Sequence, residues 1–356
     1  MKKGRKKEQI LEYLRQEIHS EHWPEKRLPR EVDLAKELEV ARGTLRKALS
    51  DLESEGLVVR KKHSGTMINS GNPKPVIGVI MRCHGDFYEE IYQHLQRELV
   101  KAGFIGQFID TSCNKIPKMR SQLRKEISGI LNRGISGLIT DGFSFYSLPR
   151  HEEILQHHPV FFDYYDGIPI DPKHVVGVLI DYYQIGRTGA EYLLKKGCRR
   201  PLFFCGPLKP RLRYSPKAFS VHKYKRMVDG ISEVLAAAGM DPWTHICMAD
   251  MEWKYLDRIL FEIFACPGSR PDGIFACEDV KVVKLLKIAA ECCCVPRHKI
   301  GVGNTPWSRG RSGFCFSSIG QSPNQCSKSL IRQLQLPWEQ RSNIYVEPEL
   351  FDRDEN

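Results

Sequence analysis

The side chains best suited to recognition chemistry in this 356-residue sequence fall into two groups. The first is basic and lies near the N-terminus. Arg42, Thr44, Arg46 and Lys47 crowd one short stretch, with Arg30 upstream. Arg60, Lys61, Lys62 and His63 follow and end at Ser64-Gly65. An arginine fork can meet guanine O6 and N7 or a phosphate, and a threonine suits a phosphate oxygen or a thymine methyl. The second group follows apolar runs further along the chain. It comprises Arg82, His84, Asp86 and Phe87, then Asp163, Tyr164, Tyr165 and Asp166, then Glu278 and Asp279, then Asn304, Thr305 and Trp307, and finally Gln321. Carboxylates and amides pair with hydroxyls, and rings stack on C–H faces, so this set suits a carbohydrate.

The basic group must be carried by helices. Ile10, Leu11, Leu14 and Ile18 share one face of a helix over 6–20. Trp23-Pro24 and Leu28-Pro29 interrupt it. A second helix runs from about Arg30 to Leu38, and Glu39-Val40-Ala41 make a turn into a third. There Leu45, Ala48, Leu49 and Leu52 form the apolar stripe, and Gly56 ends the helix. Two short helices across a tight turn predict a helix-turn-helix. Arg42, Thr44, Arg46 and Lys47 sit near the start of its second helix, the end that meets base edges and phosphates. Residues 57–68 predict a β-hairpin wing with a basic turn, set along phosphates or the minor groove.

This region resembles the GntR family of winged-helix regulators over residues 6–69. The resemblance rests on Leu28-Pro29-Arg30-Glu31, Leu34 to Leu38, Val40 to Leu49, Leu52 to Leu57 and Ser64-Gly65-Thr66. It implies contacts to double-stranded DNA at Arg42, Thr44 and Arg46 and at the wing around His63 and Gly65. The chain departs from the family at Val32, Ala41, Gly43 and Ser64.

Ser70 to Pro75 read as a turn-rich linker. Beyond it, strands are predicted at 76–81, 137–140, 160–164, 175–180, 202–205, 273–276 and 300–302. Helices are predicted at 87–102, 120–132, 184–196, 222–238 and 279–292. Alternating strands and helices imply parallel sheets covered on both faces, with ligands at the carboxyl ends of the strands.

Residues 75–352 resemble the periplasmic-binding-protein-like effector domain of the LacI family. The blocks that carry this are Ile77 to Ile80, Gly134 to Ile139, Pro159 to Asp163, Asp181 to Gly197, Arg226 with Gly230, Pro271 to Asp279, and Gly301 to Asn304. The resemblance implies two subdomains joined by three crossovers, with a small-molecule effector between them. It implies that Arg226 grips the effector, joined by Asp279, Asn304 and Gln321. Glu278 is a departure, since Asn is common there. The expected fold class is α/β: an N-terminal winged helix-turn-helix at 1–70, a linker at 71–75, and two doubly wound parallel sheets at 76–356. The arrangement is typified by arabinose-responsive repressors.

Composition fits this reading. The hydrophobic share is 41% and the net charge +11; residues 1–70 hold 16 Lys and Arg against 12 Asp and Glu. That concentration suits a polyanionic partner. No run approaches the ~20 apolar residues of a membrane span, and no apolar segment follows the basic start. The expectation is a cytoplasmic homodimer with no metal and no cofactor. Twelve cysteines include the contiguous Cys292, Cys293 and Cys294 and no C-x-x-C, which points to reduced, mostly buried thiols. No G-x-S-x-G, P-loop or H-E-x-x-H is present, so the chain is not read as an enzyme, although Asp163 and Asp166 could do acid–base chemistry. A second alternative is a large domain that serves dimerisation only.

Overall fold

The computed structural model describes residues 3–354 apart from 20–21, 24, 55, 62–64, 70–73, 84, 113–116, 133, 148–150, 165–174, 207–215 and 249–252. The predicted wing tip at Lys62 and His63, and His84, Tyr165 and Asp166, lie outside the described residues. The chain forms two compact units, Met1–Val76 with Gly103–Ile105, and Ile77–Ala102 with Gly106–Asn356.

The smaller unit holds helices α1 (Lys3–His19), α2 (Glu31–Glu37) and α3 (Arg42–Ser54), then strands β1 (Val58–Lys61) and β2 (Gly65–Ile68). The apolar stripes of the three helices converge. Leu14, Leu34, Leu45, Ala48 and Leu52 are wholly buried in one cluster. Each such leucine stabilises the fold by about 1.5–3 kcal/mol. Glu39, with φ of 50°, turns the chain between α2 and α3. β1 and β2 pair antiparallel from Val58 opposite Ile68 to Lys61 opposite Gly65.

The larger unit begins with β3 (Val76–Met81), α4 (Asp86–Lys101), β4 (Ile105–Asp110), α5 (Pro117–Leu131), β5 (Gly137–Asp141), α6 (Gly142–Ser147), α7 (His151–Leu155), β6 (Val160–Phe162) and β7 (Val176–Ile180). It continues with α8 (Tyr182–Lys195), β8 (Pro201–Cys205), α9 (Pro216–Ala237), β9 (Ile246–Met248), α10 (Trp253–Ala265), β10 (Gly273–Ala276), α11 (Asp279–Glu291), β11 (His298–Val302) and β12 (Ser317–Gly320). It ends with α12 (Pro323–Gln335), β13 (Ile344–Val346) and β14 (Glu349–Phe351).

These strands make two six-stranded sheets, ordered β4-β3-β5-β6-β7-β13 and β9-β8-β10-β11-β12-β14. The chain changes sheet three times: between β7 and β8, between β12 and β13, and between β13 and β14. The pairings from β3 through β13 are parallel, and β14 departs from that pattern by pairing antiparallel with β12. Central strands such as Gly137–Asp141 and Pro201–Cys205 are buried throughout, as a sheet covered on both faces requires.

Two sequence expectations change. The strand predicted to reach Tyr164 stops at Phe162, because Asp163 takes a left-handed φ of 48° and breaks the extended run. The cysteines are not mostly buried: Cys198, Cys205, Cys277 and Cys326 are, whereas Cys266, Cys293 and Cys315 are exposed. Among the described residues no helix is long and apolar enough to cross a membrane. Also among them, no group of three or more His, Cys, Asp or Glu is placed to hold a metal.

Candidate functional site

In the smaller unit, α3 presents the predicted residues on its outer face. Leu45, Ala48, Leu49 and Leu52 point into the core, which turns Arg42, Arg46 and Lys47 outward. Thr44 is half-buried and Arg30 is exposed just before α2. Arg46 is not unattached: its Nε donates to Glu31 Oε2 at 2.7 Å. Its carbonyl accepts from Arg60 Nη2 at 2.9 Å, and the Arg60 amide donates to Glu53 Oε1. Arg60 therefore straps the wing strand to α3. Gly65 opens β2 at φ 78°, exposed and beside the Arg27 guanidinium.

In the larger unit, the ends of strands from both sheets face one cleft of about 400 Å³. Arg82 follows β3, Asp163 follows β6, Glu278 and Asp279 follow β10, and Gln321 follows β12. Asp86 and Phe87 join them from the start of α4. The fold therefore brings seven predicted effector residues together.

On the side of the first sheet, the Arg82 guanidinium lies between the rings of Tyr88 and Phe143, 4.0 and 4.2 Å from their centroids. Its amide donates to Asp141 Oδ2 at 2.8 Å, and its Nε lies 3.4 Å from Asp141 Oδ1. That contact is an ion pair without hydrogen-bond alignment, so Nε is a buried donor with capacity to spare. Asp163 is 2% exposed, and its Oδ2 accepts from Tyr182 Oη at 2.5 Å and Tyr88 Oη at 3.4 Å. Burial pushes this carboxyl up to about 6, against the pull of Tyr182, Lys223 and Arg82. Burial also raises both phenols well above their ordinary value, so they remain donors. Phe87 and Tyr88 pack on Phe162 and make the aromatic wall.

On the side of the second sheet, Glu278 accepts from Tyr224 Oη at 2.6 Å and lies 3.4 Å from both Lys223 and Lys281. Despite the opposing cost of its burial, the two ammonium groups hold it down to about 2. Asp279 is 1% exposed and fully engaged. It accepts from Thr305 N at 2.7 Å, Thr305 Oγ1 at 2.9 Å and Ser318 Oγ at 2.7 Å. It ties three strand ends together and shapes the cleft from beneath. Gln321 is 5% exposed and its Nε2 has no partner.

Three predicted residues lie elsewhere. Asn304 accepts from Arg353 Nη2 at 2.6 Å and is held at φ 49°. Tyr164 accepts from Asn343 Nδ2 at 2.9 Å and lines a separate cavity of about 240 Å³. Arg226 lines that same cavity, exposed over the Tyr183 ring. The reason is helical phase. Gly230 of α9 packs against the Tyr183 carbonyl and Met227 against Gly186, so Tyr224, Met227 and Ile231 face inward. Arg226, one residue before Met227, is rotated away. Lys223, one turn before Met227, reaches the cleft in its place. The sequence reading missed Lys223, Tyr88 and Tyr182. Tyr88 carried a usable signal as the residue after Asp86 and Phe87, and Tyr182 as a residue just past the predicted strand 175–180.

Residues 6–68 match the gntR family of bacterial regulatory proteins. The arabinose metabolism transcriptional repressor of Geobacillus stearothermophilus is 24% identical over 38% of this chain and 36% of that protein, so the match spans about a third of the relative's length. Among solved structures, the transcriptional regulator CelR-cellobiose complex matches with TM-score 0.58 and 17% identity, over 92% of this chain and all of that one. A regulatory protein of the LacI family from Chloroflexus aggregans matches at 0.60 and 18%, over 78% and 97%. A periplasmic binding protein/LacI transcriptional regulator from Alkaliphilus metalliredigens QYMF, complexed with D-xylulofuranose, matches at 0.57 and 15%, over 79% and 98%. The chain thus joins a winged helix-turn-helix that matches the gntR family of bacterial regulatory proteins over residues 6–68 to a larger unit whose fold is that of LacI-type regulators.

Proposed function

We propose that this protein is a transcriptional repressor whose hold on its operator is set by a sugar bound in the cleft of the larger unit. Residues 1–70 read DNA, 71–75 link, and 76–356 bind the effector and pair two copies as a cytoplasmic homodimer. Arg30, Arg42, Thr44, Arg46, Lys47, Lys62, His63 and Gly65 contact DNA. Arg82, Asp86, Phe87, Asp163, Glu278 and Gln321 contact the sugar, with Lys223 in the role first given to Arg226. Asp279 positions the others and catalyses nothing.

The observation that carries this reading is a pair of buried donors without a hydrogen bond, Gln321 Nε2 and Arg82 Nε (the latter ion-paired with Asp141), on residues that line one aromatic-walled cleft from two sheets. A buried donor without a hydrogen bond is costly, most clearly Gln321 Nε2. A polyhydroxylated ligand between them satisfies both only when the sheets close on it. The ligand then acts through its differential affinity for open and closed states. The names of the similar proteins, which include cellobiose, D-xylulofuranose and arabinose metabolism, support a sugar.

The test is thermal unfolding of the full chain across a panel of mono- and disaccharides, followed by operator gel shifts with any sugar that binds. One sugar should raise the melting temperature, lose that effect in Gln321→Ala, and release DNA. No shift with any sugar would leave the larger unit as a dimerisation module. An operator that stays bound at saturating sugar would sink induction.

A further inference from the structure

Beneath the cleft lies a group of side chains that effector binding does not use. Cys205 ends β8 and Cys277 follows β10. These strands are parallel neighbours with Phe204 opposite Ala276, so the two cysteines continue the register side by side. The Cys277 amide donates to the Phe204 carbonyl at 3.1 Å and keeps the ladder intact there. Adjacent parallel strands stand about 4.8 Å apart, inside the range of Cα separations that a disulfide spans. The two thiols share a hydrogen bond. Lys281, one turn into α11, donates to Cys277 Sγ at 3.2 Å. It also donates to the Gly206 carbonyl at 3.3 Å and lies 3.4 Å from Glu278. An ammonium beside a sulfur favours the thiolate, the form that reacts. Although burial opposes it, the Cys205 and Lys281 contacts hold the Cys277 thiol down to about 7, while Cys205 is raised. Cys277 lines the cleft floor, yet both sulfurs are covered, which admits only a very small reagent through the cleft.

We propose that Cys277 and Cys205 form a peroxide-reactive dithiol under the cleft. The Cys277 thiolate attacks one oxygen of a small hydroperoxide, the O–O bond breaks, and the leaving oxygen takes a proton to depart as water or alcohol. Cys277 becomes a sulfenic acid. Cys205 sulfur then attacks Cys277 sulfur; the S–S bond forms and hydroxide leaves with the Cys205 proton as water. Two thiols lose two electrons and two protons, and the peroxide is reduced by the same two electrons. Lys281 loses its thiolate partner, which alters its hold on the neighbouring Glu278.

The test treats the full-length protein with hydrogen peroxide at pH 7, then alkylates it with iodoacetamide after denaturation and maps the peptides by mass. The expected product is a peptide pair joined through Cys205 and Cys277, two hydrogens lighter than the separate thiols and split by dithiothreitol. In Cys205→Ser, Cys277 should be captured by dimedone as the sulfenic acid. Lys281→Met should form the link at least tenfold more slowly. Recovery of both cysteines alkylated, at a peroxide dose that oxidises exposed Cys293, overturns the proposal, as does an equal rate in Lys281→Met.

Discussion

At the scale of single residues, the cleft separates side chains that can meet a ligand from side chains already spent on the fold. Asp279 has its oxygens filled by Thr305 and Ser318, whereas Asp163 faces the cavity with only two phenols on one oxygen. Its carboxyl titrates near 6 against an ordinary 3.8. Between those values the folded protein binds more protons than the unfolded chain, so this group's contribution to stability is greatest below pH 4. That contribution falls by about 3 kcal/mol as pH rises through 6. Comparing urea unfolding of the wild type and Asp163→Asn from pH 4 to pH 7 should show this slope in the former alone. Equal slopes would mean that the carboxyl is not desolvated. The geometry also sets Lys223, rather than Arg226, at the cleft. Lys223→Ala should weaken binding of the proposed sugar at least tenfold, and Arg226→Ala should change it less than twofold, read by titration calorimetry. The sequence pointed to Arg82, Asp163 and Glu278 because each follows an apolar strand-like run, and to Gln321 through the family resemblance. It concealed Lys223, whose place depends on a helix phase that its neighbours in space decide.

At the scale of elements, that phase is set where α8 crosses α9. A Cβ on Gly186 would come within 2.1 Å of the Met227 carbonyl oxygen, and one on Gly230 within 2.2 Å of the Tyr183 oxygen. The two helices pack backbone to backbone, and no side chain can stand between them. Gly230→Ala should force them apart and cost about 3 kcal/mol, measured by chemical denaturation. It should also weaken binding of the proposed sugar, because Lys223 moves with α9. If Gly230→Ala unfolds at the wild-type midpoint, the close crossing is not present in solution. In the smaller unit, Leu49→Ala removes a buried contact between helices and should cost about 2–4 kcal/mol. The long amphipathic helices and the fully apolar strands were legible because their periodicity records burial. The strands Ser317–Gly320 and Ile344–Val346 were not, since three or four residues carry too little pattern. Ser317–Gly320 is buried by the strands beside it, which the chain supplies from far away in sequence, and Ile344–Val346 buries only Val346 fully.

At the scale of the whole larger unit, three passages of the chain join the two sheets, and ion pairs span the mouth of the cleft between them. Arg309 and Arg311 come from the segment between β11 and β12, and Glu90 and Asp86 from α4 beyond the other sheet. Arg309 meets Glu90 at 2.7 Å, and Arg311 lies 3.5 Å from Asp86. Trp307, in the same segment, faces the cavity. Opening the mouth would separate these pairs, so they favour the closed state over an open one. The pairs are partly exposed, and each contributes at most about 1 kcal/mol. A closed state favoured by that amount binds the sugar up to about fivefold more tightly, since the cost of closure is already offset. Salt screens exposed charges, with a Debye length of about 10 Å at 0.1 M. The wild type should therefore lose severalfold in sugar affinity between 0.05 and 0.5 M salt. Glu90→Ala and Arg309→Ala should each start near the high-salt value, and the double variant should be no weaker than either single one. Additive losses in that cycle would show that the two side chains act on the ligand separately and do not clasp the mouth together.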